Sequence, residues 1–395
     1  MVLGLQLVGD PRVAEGVAEI LVEDELRAHA AVGQGPAHHR GDRGLHEARE
    51  RGSEVKAIAA LSCAAALAQQ QPSPPPRFKD AVTVERLVVD VRVVDATGQP
   101  VLGLGPEDFK VKVEGKPVAV ESALWVGTSA EEDPGIVVTP EGTPPPPPAG
   151  SDFPEPRLVV FLLQKDLERS RIVGLLQMVE KAEGLLASLG PDDRVAALLF
   201  DTHLRALLDF TDDRARMRRV LRDGVLHSQM AVQDSDEPSL LAHLDRWAAK
   251  RAASPERALQ VIGEALQALP GPKTLIFFGW GLGRFGRGGV TMTPDYDPAR
   301  HALQKARCSV FALDVTDADY HSLEVGLIQV AEDTGGFYAK THIFPDAALK
   351  RMERALSGYY VLSFERPEGK PGLRRLEVDL IKGRKGRVLA PTAVG

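Results

Sequence analysis

Leu158-Val-Val-Phe-Leu-Leu163 decides the fold. An unbroken apolar run of this length, without polar alternation, reads as a strand covered on both faces. Downstream, Ile172–Leu189 carries Ile172, Leu175, Leu176, Val179, Leu186 and Leu189 at helical spacing, and Gly190-Pro191 stops it. Arg194–Phe200 is apolar again, so strand, helix and strand follow one another as in a parallel sheet. Working outward, Leu204–Phe210 reads as a further strand and Asp212–Arg222 as a short charged helix. Ser254-Pro255-Glu256 supplies an N-cap, a first-turn proline and an early acid, opening a helix to Leu269. Thr274–Phe278, Ser309–Val315 and Phe337–Lys340 are strands, with helices over Pro298–Arg307, Ser322–Thr334 and Pro345–Leu356. Gly335-Gly336 ends the second of these helices. The alternation predicts an α/β fold: a mostly parallel sheet with helices on both faces over 157–358.

Both flanks switch to period two. Val84–Asp95 and Phe109–Val113 alternate, Gly115-Lys-Pro117 turns the chain into Val118–Val126, and these form an antiparallel β module over 81–127. The tail, 359–395, returns to β at Tyr359–Glu365, Leu373–Ile381 and Arg387–Leu389, so the small antiparallel β module is expected to be built from the N- and C-terminal flanks together. Proline-rich stretches at 69–80 and 128–156 read as a tether and a linker. Before them, Lys56 precedes the small apolar run Ala57–Ala68, which ends Ala66-Leu-Ala68 ahead of three glutamines. That order is a signal peptide over 55–68 with an A-x-A cleavage site. Translation is then expected to begin near Val55, with residues 1–54 mis-assigned upstream sequence or a disordered segment. The expected location is periplasmic or extracellular, with no transmembrane helix left after cleavage.

The net charge of −7 over 395 residues argues against nucleic acid as a partner. Two cysteines exclude a disulfide-stapled scaffold. Cys308, at a helix-to-strand junction, reads as a buried small hydrophobe rather than a nucleophile. Gly281-Leu-Gly-Arg-Phe-Gly286 spells the dinucleotide fingerprint, but a loop follows where that fingerprint requires a helix.

Leu87–Val94, Gly103–Val111, Glu114-Gly-Lys-Pro117, Lys273–Gly279, Ala331–Gly336 and Tyr359–Phe364 together resemble the von Willebrand factor A-related domain proteins of the acidobacterial type. The resemblance spans roughly 81–391 and implies a Rossmann-like A domain flanked by β segments. It also implies a metal-ion-dependent adhesion site, with Asp-x-Ser-x-Ser after the first strand, a threonine loop, and an aspartate after the fourth strand. Gln164, Asp166 and Glu168 stand at the first element, no Gly-Gly-Thr loop occurs between Gly224 and Pro255, and Phe278-Gly-Trp280-Gly has no aspartate. The site is therefore expected to be degenerate. Asp166 and Glu168 are what remains to attract Mg²⁺ or Ca²⁺, and no cofactor is expected.

The expected function is binding without catalysis, to a protein or envelope surface partner, through the carboxyl edge of the sheet. Gln164, Asp166, Glu168, Trp280, Asp314 and Asp317 are its candidate residues, with Asp319 and His321 beside the last two. A nucleotide- or metal-dependent enzyme on the same sheet is the alternative.

Overall fold

A computed structural model describes residues 85–127, 157–227, 238–369 and 371–395, all within the unit Lys79–Gly395. The upstream segment, signal peptide and tether expected over 1–80, and the linker expected over 128–156, lie outside the described residues. Four strands come first: β1 (Arg86–Val94), β2 (Phe109–Val113), β3 (Lys116–Val118) and β4 (Val120–Gly127). The alternating region follows with β5 (Leu158–Gln164), α1 (Arg169–Ser188), β6 (Arg194–Phe200), β7 (Leu204–Thr211) and α2 (Arg214–His227). Next come α3 (Arg246–Arg251), α4 (Pro255–Gln267), β8 (Lys273–Gly279) and the short hairpin β9 (Arg284–Gly286) and β10 (Gly289–Thr291). After these stand α5 (Tyr296–Lys305), β11 (Cys308–Asp314), α6 (Glu324–Asp333), β12 (Tyr338–Lys340) and α7 (Pro345–Leu356). The last strands are β13 (Gly358–Glu365), β14 (Arg374–Leu380), β15 (Arg387–Leu389) and β16 (Ala393–Val394).

The central sheet runs β12-β11-β8-β5-β6-β7, parallel except for β7 against β6. Counted along the chain within the sheet, that is the Rossmann order 3-2-1-4-5-6. The run at β5 is apolar throughout because both of its faces are buried. Leu158, Val160 and Leu162 pack with Leu259, Ile262, Leu303 and Val330 of α4, α5 and α6. Val159, Phe161 and Leu163 pack with Leu175, Met178, Leu221 and Met352 of α1, α2 and α7. Each such side chain contributes about 1.5–3 kcal/mol by leaving water, and a slip of one residue would exchange the two sets. Register is thereby fixed, and the carboxyl ends of β5, β8, β11 and β12 share one edge.

As expected for a module built from N- and C-terminal flanks, strands from the two flanks interleave in it. One four-stranded sheet runs β15-β1-β13-β4 and another β16-β14-β2-β3, and Val91, Phe109, Leu362 and Phe364 lie in the core between them. Tyr360 anchors it: its ring meets Phe109 and Trp125 edge-on at 5.5 and 5.0 Å, and its hydroxyl donates to the Val101 carbonyl at 2.8 Å. The strand expected over Val118–Val126 is broken at Ala119, because β3 folds back on β2 while β4 crosses to pair with β13. Asp90 joins the module to the α/β part by accepting two hydrogen bonds from Arg307, at 2.9 and 2.6 Å. Arg92 is buried nearby over the Phe311 and Tyr359 rings. Burial lowers its guanidinium to about 10, which keeps it charged at neutral pH.

Two helices also depart from the sequence reading. Helix α2 runs on to His227 instead of ending at Arg222, since Val225 continues its buried stripe. Helix α3 was not expected: it has one and a half turns, and Asp245 caps it by accepting from the Trp247 and Ala248 N–H groups at 2.9 and 3.0 Å.

Candidate functional site

In an open α/β sheet, ligands bind outside the carboxyl ends of the strands where the strand order reverses. Here that point lies between β5 and β8, and the chain's own side chains fill it. Gln164, 1% exposed, donates from Nε2 to the Gly281 carbonyl at 3.0 Å. Its Oε1 accepts from the Trp280 and Gly281 N–H groups at 2.9 and 3.3 Å. Gln164 thus staples the end of β5 to the loop after β8, with its amide committed to backbone.

Asp166, Glu168 and Trp280 converge on Arg171, a residue the sequence reading did not single out. The Arg171 guanidinium meets Asp166 at 2.5 Å and Glu168 at 3.1 Å, and lies 3.8 Å from the centre of the Trp280 ring. Burial pushes the Asp166 carboxyl up, but the Glu168 N–H and Arg171 outweigh it and hold the group below the ordinary aspartate value. The two acids expected to attract a metal therefore surround a guanidinium, which satisfies their charge from within the chain.

Asp314 and Asp317 belong to a second cluster. Register sets Asp314 beside Lys340 on β12 and Gly279 on β8. Asp314 Oδ2 accepts from His321 Nε2 and from the Tyr338 hydroxyl, each at 2.7 Å, and its Oδ1 accepts from the Thr316 N–H at 3.0 Å. Glu324 meets Lys340 at 2.7 Å. Asp317 pairs with His342, and its N–H donates to the Ser170 carbonyl at 2.6 Å, tying this cluster to the start of α1. Ligand atoms of Asp314, His321 and Glu324 lie within 4.8 Å of one another, a spacing compatible with a dication. In the structure the same atoms are engaged with one another, Tyr338 and Lys340. Burial first, then the Asp314 carboxylate, push the Tyr338 phenol far above its ordinary value, so it keeps its proton as a donor.

Cys308 sits at the opposite, amino end of β11, and burial pushes its thiol up to about 12. The glycine run Gly281–Gly286 leads into the β9–β10 hairpin rather than opening a helix, as the sequence reading expected of a loop.

Beside exposed charges such as Glu168 and Asp317, the edge displays apolar side chains to solvent. Leu167 after β5, Phe285 after β8, Tyr320 after β11 and Ile343 and Phe344 after β12 are all exposed, Leu167 at 81%, Phe285 at 72% and Phe344 at 71%. Among the described residues four aromatic side chains are exposed, and three of them stand on these loops. The sequence reading took in Gln164, Trp280 and the charged residues here and passed over these exposed apolar ones. The available signal was position, since each follows the end of a parallel strand.

No family model matches the chain, and no curated protein matches it. Among solved structures, a von Willebrand factor type A protein from Catenulispora acidiphila is 10% identical, with 79% of this chain and 75% of that one covered and a TM-score of 0.35. BatB from Bacteroides thetaiotaomicron is 14% identical, covering 51% of this chain and 97% of that one, with a TM-score of 0.32. Human COPII-coat protein Sec24c is 13% identical over 61% of this chain, with a TM-score of 0.35, and the match covers 43% of its length.

Proposed function

We propose that this chain is an exported binding module that docks a protein partner of the cell envelope on the carboxyl edge of its sheet, without catalysis and without a metal ion. The observation that carries the reading is the division of labour at that edge. Its acids Asp166, Glu168, Asp314, Glu324 and Asp317 are paired with Arg171, His321, Lys340 and His342. Its four loops present Leu167, Phe285, Tyr320, Ile343 and Phe344 outward. Exposed apolar groups gathered on one face and rimmed by charge are typical of docking surfaces, and aromatic anchors supply most of the energy in such contacts.

Capture from the native envelope tests this. Wild-type bait is expected to retain a partner that Phe285→Asp/Phe344→Asp loses at least tenfold. Leu124→Asp, on the exposed face of β4, should retain it, and circular dichroism should show all three baits folded. Equal capture by the edge variant would refute the reading.

The rival reading, a metal-dependent enzyme, draws on the spacing of Asp314, His321 and Glu324. Ligands that bind only the folded state raise its thermal stability. Mg²⁺, Ca²⁺ and Mn²⁺ are expected to leave the melting temperature unchanged in the metal-free docking account. A rise abolished by Asp166→Ala or by His321→Ala would favour the rival.

A further inference from the structure

The other end of the central sheet holds a feature that docking at the carboxyl edge does not use. Helix α3 lies against the edge strand β7, and a cavity of about 300 Å³ opens between them. Leu204, Leu241, Leu244 and Ala249 give it an apolar lining, to which the exposed Arg246 and Lys250 add two cations. These two cations lie four residues apart on α3, hence on one face of it. Among the described residues neither meets an acid. The nearby charges are otherwise engaged: Arg205 pairs with Asp201, and the Asp245 carboxylate caps α3.

Helix electrostatics do not account for Arg246. It occupies the first position of α3, where the helix dipole disfavours a cation. A cation kept there, one turn from a second and beside an apolar lining, complements an anion with a hydrocarbon tail. The volume lies at the lower end for small-molecule sites and is too small for a folded partner. A phosphate or a sugar would leave the leucines unused, and a neutral hydrocarbon would leave the two cations unused.

We propose that this cavity binds a medium-chain fatty acid, its carboxylate between Arg246 and Lys250 and its chain along Leu204, Leu241 and Leu244. Bidentate contact with the guanidinium and a second contact with the ammonium hold the head group, while the tail is removed from water. Trp247, exposed beside them with Lys250 5.4 Å from its ring, is placed to report occupancy.

Titration of the full chain with decanoate, below its micelle-forming concentration, tests the site by calorimetry and tryptophan fluorescence. The expected result is saturable binding at one site, at least tenfold weaker for decanol and for Arg246→Gln/Lys250→Gln, with no binding of acetate. Both substituted side chains are exposed, so the variant is expected to fold like the wild type, and its circular dichroism checks this. Absence of saturable decanoate binding would overturn the proposal, as would equal affinity for decanol or for the double variant.

Discussion

Gly174→Ala should destabilise the protein by about 3 kcal/mol, the upper part of the range for overpacking a core. Helix preference alone argues the opposite, since alanine in a helix interior is favoured over glycine by ~1 kcal/mol. Packing decides. Gly174 lies on the buried face of α1, and a β-carbon there would stand 1.9 Å from the Val315 carbonyl oxygen, a backbone atom that no rotamer change can move away. Helix α1 would have to lift from the end of β11, stretching the Ser170–Asp317 backbone hydrogen bond and shifting Arg171 from its acids. Gly184→Ala, in the same helix but exposed with nothing within 4 Å, should stabilise by up to ~1 kcal/mol. Urea denaturation of the two variants checks both signs. A neutral or stabilising Gly174→Ala would mean that α1 does not pack this closely on β11.

Gln164→Leu should cost about 3 kcal/mol. The side chains are similar in volume, so the cost is polar. Three backbone groups, the Trp280 and Gly281 N–H groups and the Gly281 carbonyl, lose their partner where Gln164 is 1% exposed. Each buried group left unsatisfied costs about 1–3 kcal/mol, and part of that is recovered as the loop after β8 opens to water. The loop's release gives a second readout: Trp280 should leave Arg171, with a shift in its fluorescence. Denaturation and emission spectra measured on the variant check the two effects together. An unchanged midpoint would show that the amide is not the staple between β5 and β8.

The fold was readable because its core strands are buried on both faces. Leu158–Leu163 and Thr274–Phe278 have no polar break, while Phe109–Val113 alternates because one face of β2 is exposed. Helix α3 escaped notice because six residues give no periodicity and its cap, Asp245, is one acid among many. The site was legible in outline only. Strand ends pointed to the carboxyl edge, and Gln164, Asp166, Glu168, Trp280, Asp314 and Asp317 all lie there. What each touches depends on tertiary contacts that no spacing encodes. Arg171 is brought between the two acids and Trp280 by the docking of α1. Lys340 and Tyr338 reach Glu324 and Asp314 because β12 lies beside β11. Exposed Phe285 and Phe344 carry the same letters as buried Phe277 and Phe278, and only the finished fold separates display from core.

Site-specific photo-crosslinking tests most directly whether the carboxyl edge is the docking face. A photoreactive phenylalanine analogue placed at Phe344, at Phe285 and, as a control, at Leu124 needs no change to the paired acids. The expected result in native envelopes is a discrete protein adduct from positions 344 and 285, formed equally with and without EDTA, and none from 124. An adduct from 124 alone, adducts abolished by EDTA, or none at the edge would contradict a metal-independent docking face there.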